Sequence, residues 1–332
     1  MRPTLADIAR EAEVDIATVS RALNSGYGVR KELRARIAAI AERMRYRPNL
    51  VARGLVTGRS HSLGLLISDI RNPFFGEVAR GAEDAARAAG YDLVLCNSDF
   101  DPAKQMAYYW SLVNKHIDGV IMISVDTLDQ SQIDELSAGS TPIVLLSRSR
   151  GTRGFSTVRP DNQRGGTLAA EYLIRLGHRN LALLTGSRKH GNLKDRSRGF
   201  LAAARSAGVP DPLVVCGRHD LHSGYEMARK FLAGRSGVTA IFAVNDAVAF
   251  GVLRAAIDSG VRIPDDLSVV GFDDVDLAAI VNPPLTTVRQ PRYEVGQAAV
   301  EMLIKRARHP EEAAEHRLFD VKLVERQSCR AL

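Results

Sequence analysis

From Leu63 onward an apolar run, a polar loop and an amphipathic stretch recur about every 25 to 30 residues, and this alternation constrains the fold more than any other feature of the 332-residue chain. The spacing predicts strands over 63–67, 92–96, 119–123, 142–146, 181–185, 213–216, 240–244, 267–270 and 286–288. Between most of them lie helices, such as 77–89, 165–176, 198–207, 247–259 and 294–306. Alternation of this kind specifies an α/β chain with parallel sheets covered on both faces. Nine or more strands over roughly 270 residues exceed the usual size of one sheet, so two lobes are expected.

The first sixty residues follow a different rule. Leu5, Ile8, Ala9 and Ala12 fall at helical spacing, Val14 sits in a turn, and Val19, Ala22 and Leu23 form a second stripe. Two short helices across a tight turn are a helix-turn-helix. Thr4 can cap the first helix with Asp7 at its third position, and Asp15 can cap the second. Ile16, Ala17, Ser20 and Arg21 then lie on the outward face, the one that would meet DNA bases. A third helix over 31–44 turns Leu33, Ile37, Ile40 and Met44 inward, and Pro48 prevents it from running on. Residues 46–56 are too few for a core of their own, and 57–62 read as a linker.

Charge follows the same division. The chain carries a formal +7, yet residues 1–60 hold twelve Arg and Lys against six Asp and Glu, leaving 33 against 32 for the rest. A basic excess confined to a helix-turn-helix is what phosphate neutralisation requires.

Cys96, Cys216 and Cys329 are too widely spaced for a disulfide framework or a metal site, which points to a reducing compartment. With no basic-then-apolar leader, and no apolar stretch near the roughly 20 residues that span a bilayer, a soluble cytoplasmic protein is expected. Nucleotide-dependent catalysis is disfavoured, because the first strand leads into Asn72-Pro-Phe-Phe75 rather than a Gly-rich fingerprint, and no Gly-Lys-Ser/Thr loop exists. His178 and His190 have no evident nucleophile beside them, and His178 reads as a turn residue between helix and strand. No catalytic residue, cofactor or metal is expected.

Ligands of open α/β sheets sit beyond the carboxyl ends of the strands. There the chain places Asp69 to Phe75, Ser147-Arg148, a loop with Asp195-Arg196, Asn245-Asp246, Asp273-Asp274 and Gln290. These are planar, bidentate-capable groups beside two aromatic rings.

The whole chain resembles the lactose-repressor (LacI/GalR) family of transcription factors, and residues 62–328 also resemble the ribose-type periplasmic binding proteins. The resemblance rests on Leu5-Ala-Asp-Ile-Ala9, Ala17-Thr-Val-Ser-Arg-Ala-Leu-Asn24, Tyr46-Arg-Pro-Asn49, Ala52-Arg-Gly-Leu55, Asn72-Pro-Phe-Phe75, Asp161-Asn162, Gly177-His178, Arg198-Gly-Phe200, Asn245-Asp246, Val270-Gly-Phe-Asp-Asp274 and Pro284-Leu-Thr-Thr287. It implies a three-helix headpiece over 1–48, a hinge helix and linker over 49–61, and a two-lobed periplasmic-binding-protein-like core of doubly wound sheets over 62–328. One lobe would take about 62–160 plus 290–328, and the other about 161–289.

The resemblance also implies roles for residues. Ile16 and Ala17 would choose the operator and Arg21 would meet a base edge, where it can pair bidentately with guanine. Thr4, Thr18, Ser20, Asn24 and Tyr46 join them in the expected DNA-binding set. Asn49, Ala52 and Arg53 belong to a hinge that forms on operator DNA in a dimer, with Leu55 wedged into the minor groove. In the cleft, Phe74 and Phe75 would stack on a sugar-like ring while Asn72, Arg148, Arg196, Asn245, Asp273 and Gln290 bond its hydroxyls. The implied partners are a palindromic operator, a small sugar or sugar derivative acting allosterically, and a second copy of the chain. No membrane partner is implied.

The chain departs from the family pattern at several points. Glu13 stands where the family usually has Gly, and Asp15 where a Ser usually contacts phosphate. Ser147 replaces an acid common before Arg148, and the loop from His219 to Tyr225 looks short where an aromatic often lines the pocket. Beyond Cys329 no leucine heptads follow, so a dimer rather than a tetramer is expected. The competing reading is a solute-binding protein for transport, against which the first sixty residues count.

Overall fold

The computed structural model describes residues 3–24, 27–47, 59–123, 128–146, 154–186, 191–233 and 237–332, the side chain of Asn24 excepted. The chain divides into two compact units, Met1–Ser60 and His61–Leu332.

In the first unit, α1 (Leu5–Ala12), α2 (Ile16–Asn24) and α3 (Lys31–Arg43) enclose Ile8, Ala9, Ala12, Val19, Ala22, Ile37, Ile40 and Ala41, with Leu33 and Met44 packed at the margin. The Thr4 hydroxyl accepts from the Asp7 amide while the Asp7 carboxylate accepts from the Thr4 amide, a reciprocal cap. Asp15 accepts from the Thr18 amide at 2.7 Å and so satisfies a donor in the first turn of α2.

The turn between α1 and α2 needs a left-handed residue, and Glu13 supplies it at φ 54°, ψ 44°. The Val14 amide then bonds back to the Ala9 carbonyl at 3.1 Å. A side chain in this conformation is strained by about 1 kcal/mol. Glu13→Gly is therefore expected to raise amide protection in α1 and α3 roughly fivefold in hydrogen exchange. Unchanged or lower protection would show that the turn carries no strain.

In the second unit, β1 (Ser62–Ile67), β2 (Asp92–Asn97), β3 (Gly119–Met122), β4 (Ile143–Leu145), β5 (Ser156–Pro160) and β11 (His316–Phe319) form a parallel sheet ordered β11-β5-β4-β3-β1-β2. Helices Pro73–Ala88 and Arg292–Arg308 cover one face, and Pro102–Asn114 and Gln130–Ala138 the other. The second sheet joins β6 (Leu181–Thr185), β7 (Leu213–Cys216), β8 (Ala240–Ala243), β9 (Ser268–Asp273), β10 (Thr286–Arg289) and β12 (Lys322–Val324) in the order β12-β10-β9-β8-β6-β7. Its covers are Asn162–Arg175 with Gly191–Ser206, and Leu221–Ala233 with Asp246–Asp258. Most of the apolar runs read from the sequence are buried strands, as at Leu183, Ile241, Phe242, Val270 and Phe272, whereas 92–96 and 213–216 form the half-exposed edge strands β2 and β7.

Three strands escape the sequence pattern. β5 reads Ser-Thr-Val-Arg-Pro, and β11 and β12 are short and partly exposed, so none shows an apolar run. Their pairings correct the expected allotment of 290–328 to the first lobe. β12 runs antiparallel to β10 in the second sheet. The chain stays there to its last residue, where the Leu332 amide bonds the Leu176 carbonyl at 2.9 Å. The backbone thus passes between the lobes after β5, after β10 and after β11.

His178 is more than a turn residue. It is buried, with Nδ1 2.9 Å from Thr239 Oγ1 and Nε2 3.0 Å from Ser268 Oγ and 3.1 Å from the Arg330 carbonyl. Burial lowers its pKa, and the neutral ring ties the C-terminal segment to the second sheet.

Candidate functional site

A cavity of about 70 Å³ lies between the lobes, at the carboxyl ends of both sheets. Asn72, Phe74, Phe75, Arg196, Asn245, Asp273 and Gln290 all line it. Arg148, with Ser147 before it, lies outside the described residues.

On the first lobe, Asn72 ends the loop after β1 and caps helix Pro73–Ala88, its Oδ1 accepting from the Phe74 amide at 3.0 Å. This leaves the side-chain nitrogen for a ligand. Pro73, at the first helical position, needs no amide partner. The Phe74 and Phe75 rings meet edge to face, 5.1 Å apart at 76°. Phe75 is buried in the lobe's core and Phe74 only half-buried, so Phe74 is the better placed to offer a ring face.

On the second lobe the central group is Arg196, which lies on helix Gly191–Ser206 and not in the expected loop. That helix crosses Asn162–Arg175 at backbone contact. A Cβ on Gly166 would stand 1.9 Å from the Arg196 carbonyl oxygen, and one on Gly199 as close to that of Gln163. The crossing brings Arg196 Nε 2.8 Å from Asn162 Oδ1. Its Nη1 donates to the Val244 carbonyl at 2.8 Å and to Asp273 Oδ1 at 3.2 Å, and the guanidinium lies 3.7 Å over the Phe272 ring. Among the described residues Nη2 has no partner. Asp195, expected beside it, points elsewhere and pairs with Arg198 at 3.0 Å.

Asp273 ends β9 with φ 116°, and Asp274 follows at 53°. Two such residues in succession store backbone strain, which the surroundings hold in place. Asp274 is gripped by Arg289 and Arg326. Asp273 accepts from Arg196 and, at 2.5 Å, from Gln290 Nε2, leaving Oδ2 without a hydrogen bond among the described residues. Burial pushes its carboxyl up to about 6, with the Arg196 charge and the Gln290 hydrogen bond opposing. Asp246 is held well above the carboxylate range, by burial first and by the Asp273 charge second. It accepts from Val275 N and the Thr287 hydroxyl. Asn245 uses its oxygen to cap helix Asp246–Asp258 and its nitrogen to hold the His219 carbonyl at 2.9 Å, so it orients a loop as well as lining the cavity.

Phe100, Asn192 and His219 line the same cavity and were missed from the sequence. Phe100 lies three residues beyond β2 and His219 three beyond β7, so the strand-end rule would have found both. The loop that looked too short does bring a ring to the cavity. Asn192 accepts from Asn162 at 3.3 Å and donates across the lobes to the Leu146 carbonyl at 3.4 Å.

In the first unit, Ile16 is 51% exposed, Ala17 and Arg21 are exposed, and Thr18 and Ser20 are half-buried. Arg21 Nη2 bonds Thr18 Oγ1 at 3.1 Å, and that hydroxyl donates to Asp15 at 2.9 Å. Those hydrogen bonds hold the Asp15 carboxyl below its usual range. Thr4 is engaged in its cap, and Tyr46 packs half-buried against the three-helix core, which raises its hydroxyl's pKa. Asn49, Ala52, Arg53 and Leu55 lie outside the described residues, as does the side chain of Asn24. No helix among the described residues is long and apolar enough to cross a membrane.

Comparison with known proteins accords with both units. Residues 4–49 match the model of bacterial regulatory proteins of the lacI family, and residues 170–329 match that of a periplasmic binding protein-like domain. The chain is 36% identical over 336 residues to the HTH-type transcriptional regulator DegA of Bacillus subtilis, covering 100% of this chain and 99% of that one. The lac repressor dimer, solved bound to operator and the anti-inducer ONPF, superimposes with a TM-score of 0.90 at 27% identity over the full length of both chains. A LacI family regulator from Enterococcus faecium, solved with bound ribose, is 31% identical with a TM-score of 0.73, covering 82% of this chain and 99% of its own. With a three-helix headpiece ahead of a cleft between two doubly wound sheets, and with relatives this similar over their whole length, the chain belongs to the LacI family of DNA-binding transcriptional regulators.

Proposed function

We propose that this protein represses sugar or carbohydrate catabolism genes, binding a palindromic operator as a homodimer under the control of a sugar-like effector in the interlobe cleft. The Arg196–Asp273 pair carries the reading: it is buried and braced, and it keeps Nη2 and Oδ2 for a ligand beside the Phe74 ring. Planar donors and acceptors suit adjacent hydroxyls, and an aromatic face suits the C–H side of a sugar ring. The ribose in the Enterococcus faecium relative supports this chemistry.

The exposed Ile16, Ala17 and Arg21 support base readout, with Thr4, Thr18, Ser20, Asn24 and Tyr46 positioning the headpiece on phosphates. The operator-bound lac repressor dimer supports the assembly, and the hinge with Leu55 as a minor-groove wedge belongs to the same proposal. An effector that touches Asn72 and Phe74 on one lobe and Arg196 and Asp273 on the other favours the closed arrangement by its differential affinity. The protein acts in the cytoplasm as a binding protein and not an enzyme, with no cofactor. A transport solute-binding protein would share the core but has no use for a helix-turn-helix.

The test is operator selection from random duplexes, followed by a gel shift with single sugars added. The expected result is a palindromic site whose occupancy changes with one sugar. A chain that binds no duplex, or whose complex ignores every sugar, would overturn the reading.

A further inference from the structure

The loops after β2 and β7 meet across the cleft. Phe100 of the first lobe and His219 of the second stand edge to face, with centroids 4.2 Å apart and planes at 86°. Both line the cavity, while Arg71, Asp99 and Arg218 beside them are exposed, so this contact is part of the wall between the cavity and bulk water.

Each ring is held from behind. Asp99 and Phe100 both take positive φ, 53° and 59°, a conformation non-glycine residues keep only where the surroundings impose it. Asp99 accepts from Asn97 Nδ2 at 2.7 Å and from Lys104 at 2.5 Å, and Asp101 caps helix Pro102–Asn114. On the other side the His219 carbonyl is fastened by Asn245. Arg71 pairs with Asp69 at 2.8 Å, and its charge is further favoured by Asp99 and by Asp220 of the second lobe.

Resting on the sugar reading above, we propose that the Phe100–His219 pair is a size gate that limits the effector to one ring and turns away glycosides and disaccharides. The cavity that these rings partly close is about 70 Å³, several times the roughly 10–15 Å³ that admits one water and so room for a small polar molecule only. A second ring projecting through this wall would have to separate two side chains anchored on different lobes. Asn192, bonded across to Leu146, holds the lobes together at a second point.

The experiment is isothermal titration of the full-length protein with matched probes: D-ribose and adenosine, D-glucose and cellobiose, D-galactose and o-nitrophenyl galactoside. The wild type is expected to bind one single-ring sugar and its two-ring partner at least tenfold more weakly. Phe100→Ala and, independently, His219→Ala are expected to bring the two within threefold of each other, the readout being the ratio of the paired affinities and not either affinity alone. Two variants on separate lobes keep the test open should one fail to fold. A wild type that binds both members of a pair equally, or variants that leave the gap unchanged, overturns the gate alone. Binding of none of the six overturns the gate together with the sugar reading.

Discussion

Arg196→Ala is expected to abolish effector binding and to destabilise the second lobe by about 3–5 kcal/mol, because it removes one partner of a buried ion pair. The guanidinium is the hub of four contacts: Asn162 Oδ1, the Val244 carbonyl, the Asp273 carboxylate and the Phe272 ring. Truncation leaves a buried carboxylate beside Asp246, with a cavity under the aromatic ring. Such a loss makes any change in ligand response ambiguous, and a companion variant removes the ambiguity. Arg196→Lys keeps a cation beside Asp273 and so avoids most of that cost, while losing the planar fork that would hold adjacent hydroxyls. This variant is expected to melt much nearer the wild type than Arg196→Ala and still to bind sugar at least tenfold more weakly in calorimetry. An unchanged melting temperature for Arg196→Ala, or wild-type sugar affinity in Arg196→Lys, would remove the pair from the site.

Arg21→Ala is expected to weaken binding to the selected operator by about fivefold to more than a hundredfold, the worth of about 1–3 kcal/mol for a bidentate contact to guanine, with sugar affinity unchanged. The guanidinium is exposed and steadied by Thr18, which Asp15 in turn holds. Asp15, an anion close to where phosphate would lie, thus serves as the cap of α2 and the anchor of this chain of bonds. Arg21→Lys separates the two ways a cation can contribute. If Arg21 reads a base, lysine keeps non-specific affinity and loses discrimination between operator and random duplex at fixed salt. If it only neutralises phosphate, lysine restores binding to both.

How far the sequence could be read depended on the range of the interactions involved. The helix-turn-helix was legible because its caps, turn and apolar stripe are local: Thr4 and Asp7 are three residues apart, and so are Asp15 and Thr18. Seven of the nine apolar strands were legible because burial on both faces requires continuous runs, and the edge strands β2 and β7 because they too are written in apolar residues although half-exposed. β5, β11 and β12 were not, since they owe their pairing to partners far along the chain, as His316 does to Thr157.

The site shows the same contrast. Strand-end position and residue chemistry gathered the loops that hold Asn72, Phe74, Asn245, Asp273 and Gln290, and the family resemblance singled out these residues together with Arg196. The sequence by itself thus determined two α/β lobes behind a basic three-helix unit, and which polar groups would converge. Only the tertiary structure decided that Arg196 comes from a helix braced at a glycine crossing, that the C-terminal segment returns to the second lobe, and that Phe100 meets His219. Periodicity and capping are written within a few residues of one another, whereas these contacts join residues 77, 33 to 37 and 119 positions apart. Close packing alone selects which of those distant pairs touch.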